Sequence, residues 1–126
     1  MGQSAQRRVL VVDDDRSIRE YLRFVLEPAG YEVEEAENGA VAVEKFRRAG
    51  FDLVITDISM PEKDGIDAII EMRGADAHAK FIAMSGVAKS DTLLEIARIY
   101  SADRVIKKPF LSEDILSAVA RVLGDA

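Results

Sequence analysis

Four short apolar runs and one segment of alternating polarity occur along the chain, separated by longer stretches of mixed polarity. Uninterrupted apolar runs of this length are typical of strands that a parallel sheet buries on both faces. We therefore predict strands at residues 9–12, 31–36, 53–55, 80–84 and 105–106. The segment 31–36 alternates instead, and it contains Glu32, Glu34 and Glu35, whose full burial would be costly, so we expect that strand near an edge of the sheet.

Between the runs, apolar residues recur every three or four positions, which indicates amphipathic helices. Asp14 or Asp15 is placed to cap the first helix, Pro28 and Gly30 end it, and Gly74 closes the third. The apolar faces consist of Ile18, Tyr21, Leu22, Val25 and Leu26 in the first helix, Ala40, Val41, Val43 and Phe46 in the second, and Ile66, Ile69, Ile70 and Met72 in the third.

Capping residues place the remaining helix starts. The Asn38-Gly39 pair is a common hairpin signal, but helical periodicity continues directly after it, so we interpret Asn38 as the cap of the second helix. Ser90 or Asp91 caps a fourth helix, and apolar residues repeat at helical spacing from 93 to 100. A fifth helix begins at Ser112, and acidic residues in its first turn complement the helix dipole.

Five strand–helix units in 126 residues predict a doubly wound α/β fold around a five-stranded parallel sheet, because right-handed crossovers leave few other arrangements. We expect a single domain over residues 1–126, with residues 1–7 as a flexible lead. The apolar runs are too short for a membrane span.

The amino-acid composition argues against several classes of function. The net charge of −6 argues against a general binder of nucleic acid or of anionic membranes. The chain has no cysteine, so it carries no disulfide and no thiolate nucleophile, which fits a cytoplasmic location. His78 is the only histidine, so the chain lacks the nitrogen and sulfur ligands of a typical zinc site, and we expect His78 in an exposed loop.

Polar residues follow four of the five predicted strands at the point where each strand ends. Each of them alone has an ordinary structural interpretation as a helix cap, a turn residue or a solvated lysine. Because the carboxyl ends of parallel strands meet at one edge, where α/β sheets bind ligands, we expect them in one crevice. They are Asp13, Asp14 and Asp15 after the first strand, Asp57 after the third, Ser85 after the fourth, and Lys107 and Lys108 after the fifth.

Several carboxylates in one crevice repel one another unless a cation neutralises them. Oxygen ligands of this kind suit Mg²⁺, which keeps several waters and leaves room for phosphate oxygens. A carboxylate beside such an ion can attack phosphorus and form an acyl phosphate. We predict Asp57 as that nucleophile because its strand is central, Lys108 as the cation that offsets phosphoryl charge, and Ser85 as a hydrogen-bond donor.

Four motifs in this order resemble the response-regulator receiver domain of two-component signalling, in particular a stand-alone chemotaxis receiver. They are VVDDD at residues 11–15, DISMPEKDG at 57–65, MSG at 84–86 and KPF at 108–110. The resemblance covers nearly the whole chain and implies a flavodoxin-like sheet with strand order 2-1-3-4-5. It also implies that the peptide bond between Lys108 and Pro109 is cis.

The resemblance implies a role for each site residue. Asp57 would accept the phosphoryl group, while Asp13, Asp14, Asp57 and the backbone carbonyl of Ser59 would bind Mg²⁺. Ser85 and Lys108 would contact the phosphoryl group. The donor would be a phosphohistidine on a sensor histidine kinase or a phosphotransfer protein, and the fourth helix, fifth strand and fifth helix would bind a downstream protein.

One position departs from the family pattern. Receivers commonly carry Tyr or Phe three residues before the lysine, where the ring turns inward as the hydroxyl moves toward the phosphate. Here that residue is Val105, which has no ring to relocate. The departure concerns the coupling of Ser85 to the output surface and leaves the phosphorylation chemistry unaffected.

Two other functions fit parts of the sequence. Asp13 and Asp15, spaced by one residue after the first strand, resemble the nucleophile motif of haloacid-dehalogenase-type phosphatases, although the chain has little room for the cap domain of those enzymes. A receiver-like module that binds a partner independently of phosphate is the second alternative, and Val105 is the feature that favours it.

Overall fold

A computed structural model describes residues 6–58, 65–85 and 102–124. Five strands form one sheet in the order β2-β1-β3-β4-β5, and every neighbouring pair is parallel, as the fold prediction requires. The strands are β1 (Arg8–Val12), β2 (Glu32–Ala36), β3 (Leu53–Asp57), β4 (Lys80–Ser85) and β5 (Arg104–Lys107). The predicted fold class and strand order are confirmed.

The polarity of each strand agrees with its position at the centre or the edge of the sheet. All five residues of β3 are buried, and β3 lies between β1 and β4 at the centre. β2 lies at an edge, where Glu32 is exposed and Glu34 and Glu35 are partly exposed. An edge strand allows these carboxylates to reach solvent or arginine partners, so the prediction from the glutamates is confirmed.

Four helices cover the two faces of the sheet in the described residues, one fewer than predicted, because the predicted fourth helix at residues 90–100 falls outside those ranges. The helix that begins at Ser112 is therefore labelled α4 here. The helices are α1 (Arg16–Leu26), α2 (Gly39–Ala49), α3 (Gly65–Ala75) and α4 (Ser112–Leu123).

Side-chain caps fix the helix starts. The carboxylate of Asp15, rather than that of Asp14, accepts a hydrogen bond from the backbone N–H of Ser17 at 2.9 Å and caps α1. The side chain of Asn38 caps α2 through the N–H of Val41, so the hairpin reading of this segment is excluded. Asn and Asp suit these positions because their oxygens satisfy amides that have no partner within the helix.

The helix ends differ from the sequence predictions by about one turn or less. After α1, a single turn of 3-10 helix, Glu27–Ala29, includes Pro28 and ends at Gly30, whose φ of 101° is accessible to glycine. α3 continues to Ala75, so Gly74 lies inside the helix and the prediction that it closes α3 was wrong. Glycine costs a helix only about 1 kcal/mol relative to alanine, which tertiary packing of the rest of α3 outweighs.

The core consists of two apolar layers, one on each face of the sheet. Alternate residues of β1 enter opposite layers, because successive side chains of a strand point to opposite faces. Leu10 and Val12 pack with α2 and α3, whereas Val9 and Val11 pack with α1 and α4. Within the described residues, no helix is both long and apolar enough to cross a membrane.

Candidate functional site

Three carboxylates converge at the carboxyl end of the sheet. The pairing of Val12 with Thr56 between β1 and β3 places the next residues, Asp13 and Asp57, side by side. One carboxylate oxygen from each of Asp13, Asp14 and Asp57 lies within 4.8 Å of the other two. Asp13 and Asp57 are buried and Asp14 is exposed, so the group opens to solvent on one side.

Lys108 joins this group from the end of β5. Its Nζ lies 2.7 Å from Oδ2 of Asp13 and 3.5 Å from Oδ2 of Asp57. Its backbone N–H donates to the carbonyl of Ser85 at 2.8 Å, and its peptide bond to Pro109 is cis, as the resemblance implies. The lysine thus places a cation directly between two buried acids.

Burial and charge act on the pKa values of this pair. Burial raises the pKa of the Asp13 carboxyl above its ordinary value; hydrogen bonds from Lys108 and from the Asp15 amide oppose this, and the negative charge of Asp57 adds to it. Burial by itself lowers the pKa of Lys108, but the hydrogen bonds and negative charges of Asp13 and Asp57 together outweigh burial, and the pKa is raised. The ammonium therefore stays charged, and the acids retain unbalanced negative charge.

The backbone beneath Asp57 is held by two close neighbours. The buried hydroxyl of Thr56 donates to the carbonyl oxygen of Asp57 at 3.0 Å. Gly65 packs against the same carbonyl, and a Cβ at this position would lie 2.7 Å from the Cα of Ile58 and would overlap the oxygen of Asp57. Only a residue without a side chain fits this approach of α3 to β3.

Ser85, Val105 and Ser59 are the other residues that the sequence analysis singled out. Ser85 is buried at the carboxyl end of β4 and pairs in register with Lys107 of β5, which puts it at the same edge as the acids. Val105 is partly buried and packs on the α2–α3 side of the sheet. Ser59 lies outside the described residues.

Sequence patterns did not identify three residues that contact the site. Thr56 and Gly65 hold the backbone of Asp57, and Arg19 donates from its Nη1 to the backbone carbonyl of Asp13 at 2.7 Å. The glycine that ends the DISMPEKDG motif was a visible signal for Gly65. Periodicity offers no signal for Arg19, which occupies a polar position on an amphipathic helix.

The donor set fits a hard divalent cation. Carboxylate oxygens from two or three residues, with one of those residues exposed, match the preference of Mg²⁺ for a few carboxylates together with water. No sulfur or imidazole ligand belongs to this group, so its chemistry does not favour zinc. Excess negative charge at this edge is the condition that a bound cation relieves.

Fold and site together define a small doubly wound α/β protein with an acidic pocket of the phosphoacceptor type. The chain matches the response regulator receiver domain over residues 9–120. It belongs to this family of two-component signalling proteins and is a receiver of the chemotaxis protein CheY type.

Individual relatives agree with this assignment. The chain is 38% identical to chemotaxis protein CheY of Bacillus subtilis over 118 residues, covering 93% of this chain and 98% of that protein. It is 39% identical to chemotaxis protein CheY of Thermotoga maritima over 117 residues, 92% of this chain and 97% of that protein. The crystal structure of response regulator TrrA from Thermotoga maritima with Mg²⁺-BeF is similar, with a TM-score of 0.84, 36% identity, and coverage of 94% of this chain and 100% of that one.

Family membership leaves the phosphatase alternative without support. The motif Asp13-x-Asp15 that suggested it is explained differently by the structure, because the carboxylate of Asp15 caps α1. The backbone N–H of Asp15 donates to Oδ1 of Asp13 at 2.9 Å, so Asp15 helps to orient Asp13 through its main chain.

Proposed function

We propose that this receiver accepts a phosphoryl group on Asp57 from a phosphohistidine, with Mg²⁺, and that the modification changes its affinity for a downstream protein. The observation that supports this most directly is the convergence of three carboxylates within 4.8 Å. Lys108 extends this group with a cation 3.5 Å from Asp57. A nucleophile, an acidic pair and a cation at one crevice are the components that phosphoryl transfer to a carboxylate needs.

In the proposed step, an oxygen of the Asp57 carboxylate attacks phosphorus and forms an O–P bond. The P–N bond to the donor imidazole breaks, and its electron pair remains on that nitrogen. Lys108 stabilises the negative charge of the transferring group, and the Ser85 hydroxyl donates a hydrogen bond to it. Asp13, Asp14, Asp57 and the Ser59 carbonyl would hold Mg²⁺, which would supply further charge neutralisation.

Partner binding is proposed for the surface formed by β5, α4 and the predicted fourth helix. A cavity of about 360 Å³ lies between β5 and α4 and is lined by residues that include Val105, Lys107 and Ser117. Lys108 directly continues β5, so a new dianion at Asp57 acts at the end of this strand. A cytoplasmic location belongs to the same proposal.

Labelling with acetyl phosphate and Mg²⁺ tests the acceptor. We expect a gain of one phosphoryl mass that is lost in base, and none in Asp57→Asn. Asp52→Asn is the matched control, because Asp52 directly precedes the same strand at its opposite end, and it should label normally. Equal labelling of Asp57→Asn and the wild type would show that the acceptor is another residue.

Formation of the beryllium fluoride adduct tests the switch. We expect amide chemical shifts of β5 and of the facing side of α4 to change when Mg²⁺ and beryllium fluoride are added together. Unchanged shifts at β5 and α4, in a protein that forms the adduct at Asp57, would favour the alternative of a phosphate-independent binding module.

A further inference from the structure

The guanidinium of Arg19 connects the acidic site to the edge strand of the sheet. Its Nη1 donates to the backbone carbonyl of Asp13 at 2.7 Å, and its Nε donates to Oε1 of Glu35 at 3.1 Å. The Arg19 side chain is only 15% exposed, so these contacts are shielded from solvent. A planar guanidinium suits this bridge because its donors are fixed in direction relative to one another.

Glu35 is a firmly held anchor for this bridge. Its second oxygen, Oε2, accepts from Nε of Arg23 at 2.8 Å, and its backbone carbonyl accepts from Nζ of Lys45 at 2.6 Å. Arg23 also pairs with Glu27 at 2.5 Å. The Nε group of Arg19 thus binds Glu35, a residue of β2 that side chains from α1 and α2 also hold in place.

At the other end, Arg19 completes the set of contacts that orients Asp13. The backbone N–H of Asp13 donates to Ala36 at 3.2 Å, Oδ1 accepts from the Asp15 amide at 2.9 Å, and Oδ2 accepts from Lys108 at 2.7 Å. The remaining polar group of Asp13 is its backbone carbonyl, which accepts the hydrogen bond from Arg19. Oδ2 therefore points to the crevice with the backbone fixed on both sides of its Cα.

We infer that Arg19 is a positioning residue for cation binding, acting through the backbone of Asp13, with Glu35 as its support. The inference rests on the proposed function, since Asp13 is a proposed ligand of Mg²⁺. Outer contacts of this kind strengthen metal binding because they hold a ligand in its binding orientation.

Whether loss of Arg19 weakens or strengthens Mg²⁺ binding distinguishes a positioning role from a purely electrostatic one. Arg19 carries a positive charge near an acidic site, so its charge alone opposes a cation, and its removal would strengthen Mg²⁺ binding. Positioning predicts the opposite, because a loosened Asp13 must be ordered again when the ion binds. A weaker affinity after loss of this positive charge is therefore specific to the positioning role.

Arg23→Met is the matched control for Arg19→Met. Both substitutions remove one arginine that pairs with Glu35 from the same helix, but only Arg19 also bonds to Asp13. By calorimetry we expect Arg19→Met to weaken Mg²⁺ binding by about 10-fold. Arg23→Met should stay within about 2-fold of the wild type, because the partners of Arg23, Glu35 and Glu27, are not proposed ligands of Mg²⁺.

A second measurement needs no metal. Hydrogen exchange of the Asp15 amide reports the bond to Oδ1 of Asp13, and we expect it to accelerate in Arg19→Met and to stay unchanged in Arg23→Met. Should Arg19→Met fail to fold, Arg19→Lys replaces it, because one ammonium cannot reach along both directions of the guanidinium. It should give an intermediate loss of affinity.

The outcomes distinguish the two proposals. If the wild type binds no Mg²⁺, the proposed function is wrong and this inference falls with it. If the wild type binds Mg²⁺ but Arg19→Met binds it equally well, more tightly, or no differently from Arg23→Met, the positioning role is wrong and the proposed function stands.

Discussion

Lys108 lies closer to Asp13 than to Asp57, with Nζ at 2.7 Å from the first carboxylate and 3.5 Å from the second. The lysine therefore neutralises Asp13, a proposed metal ligand, more directly than Asp57, which is proposed as both a metal ligand and the nucleophile. Because Asp13 and Asp57 are buried, their charges interact more strongly with the ammonium than they would in water. A cation that binds at Oδ2 of Asp13, as proposed, would have to compete with Lys108 for this oxygen.

Replacing Lys108 with Met is expected to separate cation binding from phosphorylation. Loss of the ammonium should favour Mg²⁺ by about 1 kcal/mol, or about 5-fold in Kd. Labelling of Asp57 by acetyl phosphate should fall by about 10-fold or more, because the charge on the transferring group loses a partner. Lys107→Met removes the same charge from an exposed neighbour and should change neither measurement. Weaker Mg²⁺ binding by Lys108→Met would contradict the competition.

Gly65→Ala tests the close approach of α3 to the backbone of Asp57. The added methyl group would overlap the Asp57 carbonyl oxygen, so α3 or β3 must shift, and we expect a loss of about 1–3 kcal/mol in the free energy of unfolding. Gly74→Ala in the same helix meets nothing within 4 Å and should stabilise by up to about 1 kcal/mol. Urea unfolding measures both, and equal effects would show that the contact at Gly65 is unimportant.

Thr56→Val removes the hydroxyl that donates to the Asp57 carbonyl while keeping a similar shape. Loss of this buried hydrogen bond should cost about 1 kcal/mol in unfolding free energy. Thr56→Ser keeps the hydroxyl and loses one buried methyl group, at a cost of about 1 kcal/mol. The two variants should thus be similarly stable, and only Thr56→Val should slow labelling of Asp57. Slow labelling in both would point to packing rather than to the hydroxyl.

Stability at low pH should depend on Glu35. Partial burial by itself raises the pKa of its carboxyl, but hydrogen bonds from Arg23 and Arg19 outweigh burial, and the pKa lies below the ordinary glutamate value. The unfolded chain therefore takes up this proton at a higher pH than the folded protein does. Stability from Glu35 is present above the ordinary value and is lost as pH falls through the lowered one.

Glu35→Gln is accordingly expected to cost about 1 kcal/mol of unfolding free energy at neutral pH. The difference from the wild type should shrink as pH falls below the ordinary glutamate pKa of 4.5 toward the lowered pKa of the folded protein. Glu20→Gln, which removes an exposed pair with Arg16, is the control and should have a smaller effect at every pH. A difference between Glu35→Gln and the wild type that does not vary with pH would contradict this account. Urea titrations at several pH values measure it.

The sequence by itself determined the helices and strands of the described residues and the composition of the site edge. Apolar runs that end in acids, a hydroxyl or lysines placed Asp13, Asp57, Ser85 and Lys108 at strand ends, because parallel strands share one carboxyl edge. Glutamates predicted that β2 lies at an edge, and the cap Asn38 excluded a hairpin. The strand order came from the family resemblance rather than from periodicity.

Only the tertiary structure decided which groups contact one another. It selected Asp15 over Asp14 as the α1 cap, paired Lys108 with Asp13 across 95 positions, and brought Arg19 to the carbonyl of Asp13. Local patterns encode how a segment buries its own apolar face, since period and capping depend on near neighbours. Contacts between polar groups from different segments depend on how the packed layers finally meet, and that geometry is fixed only when the whole chain has folded.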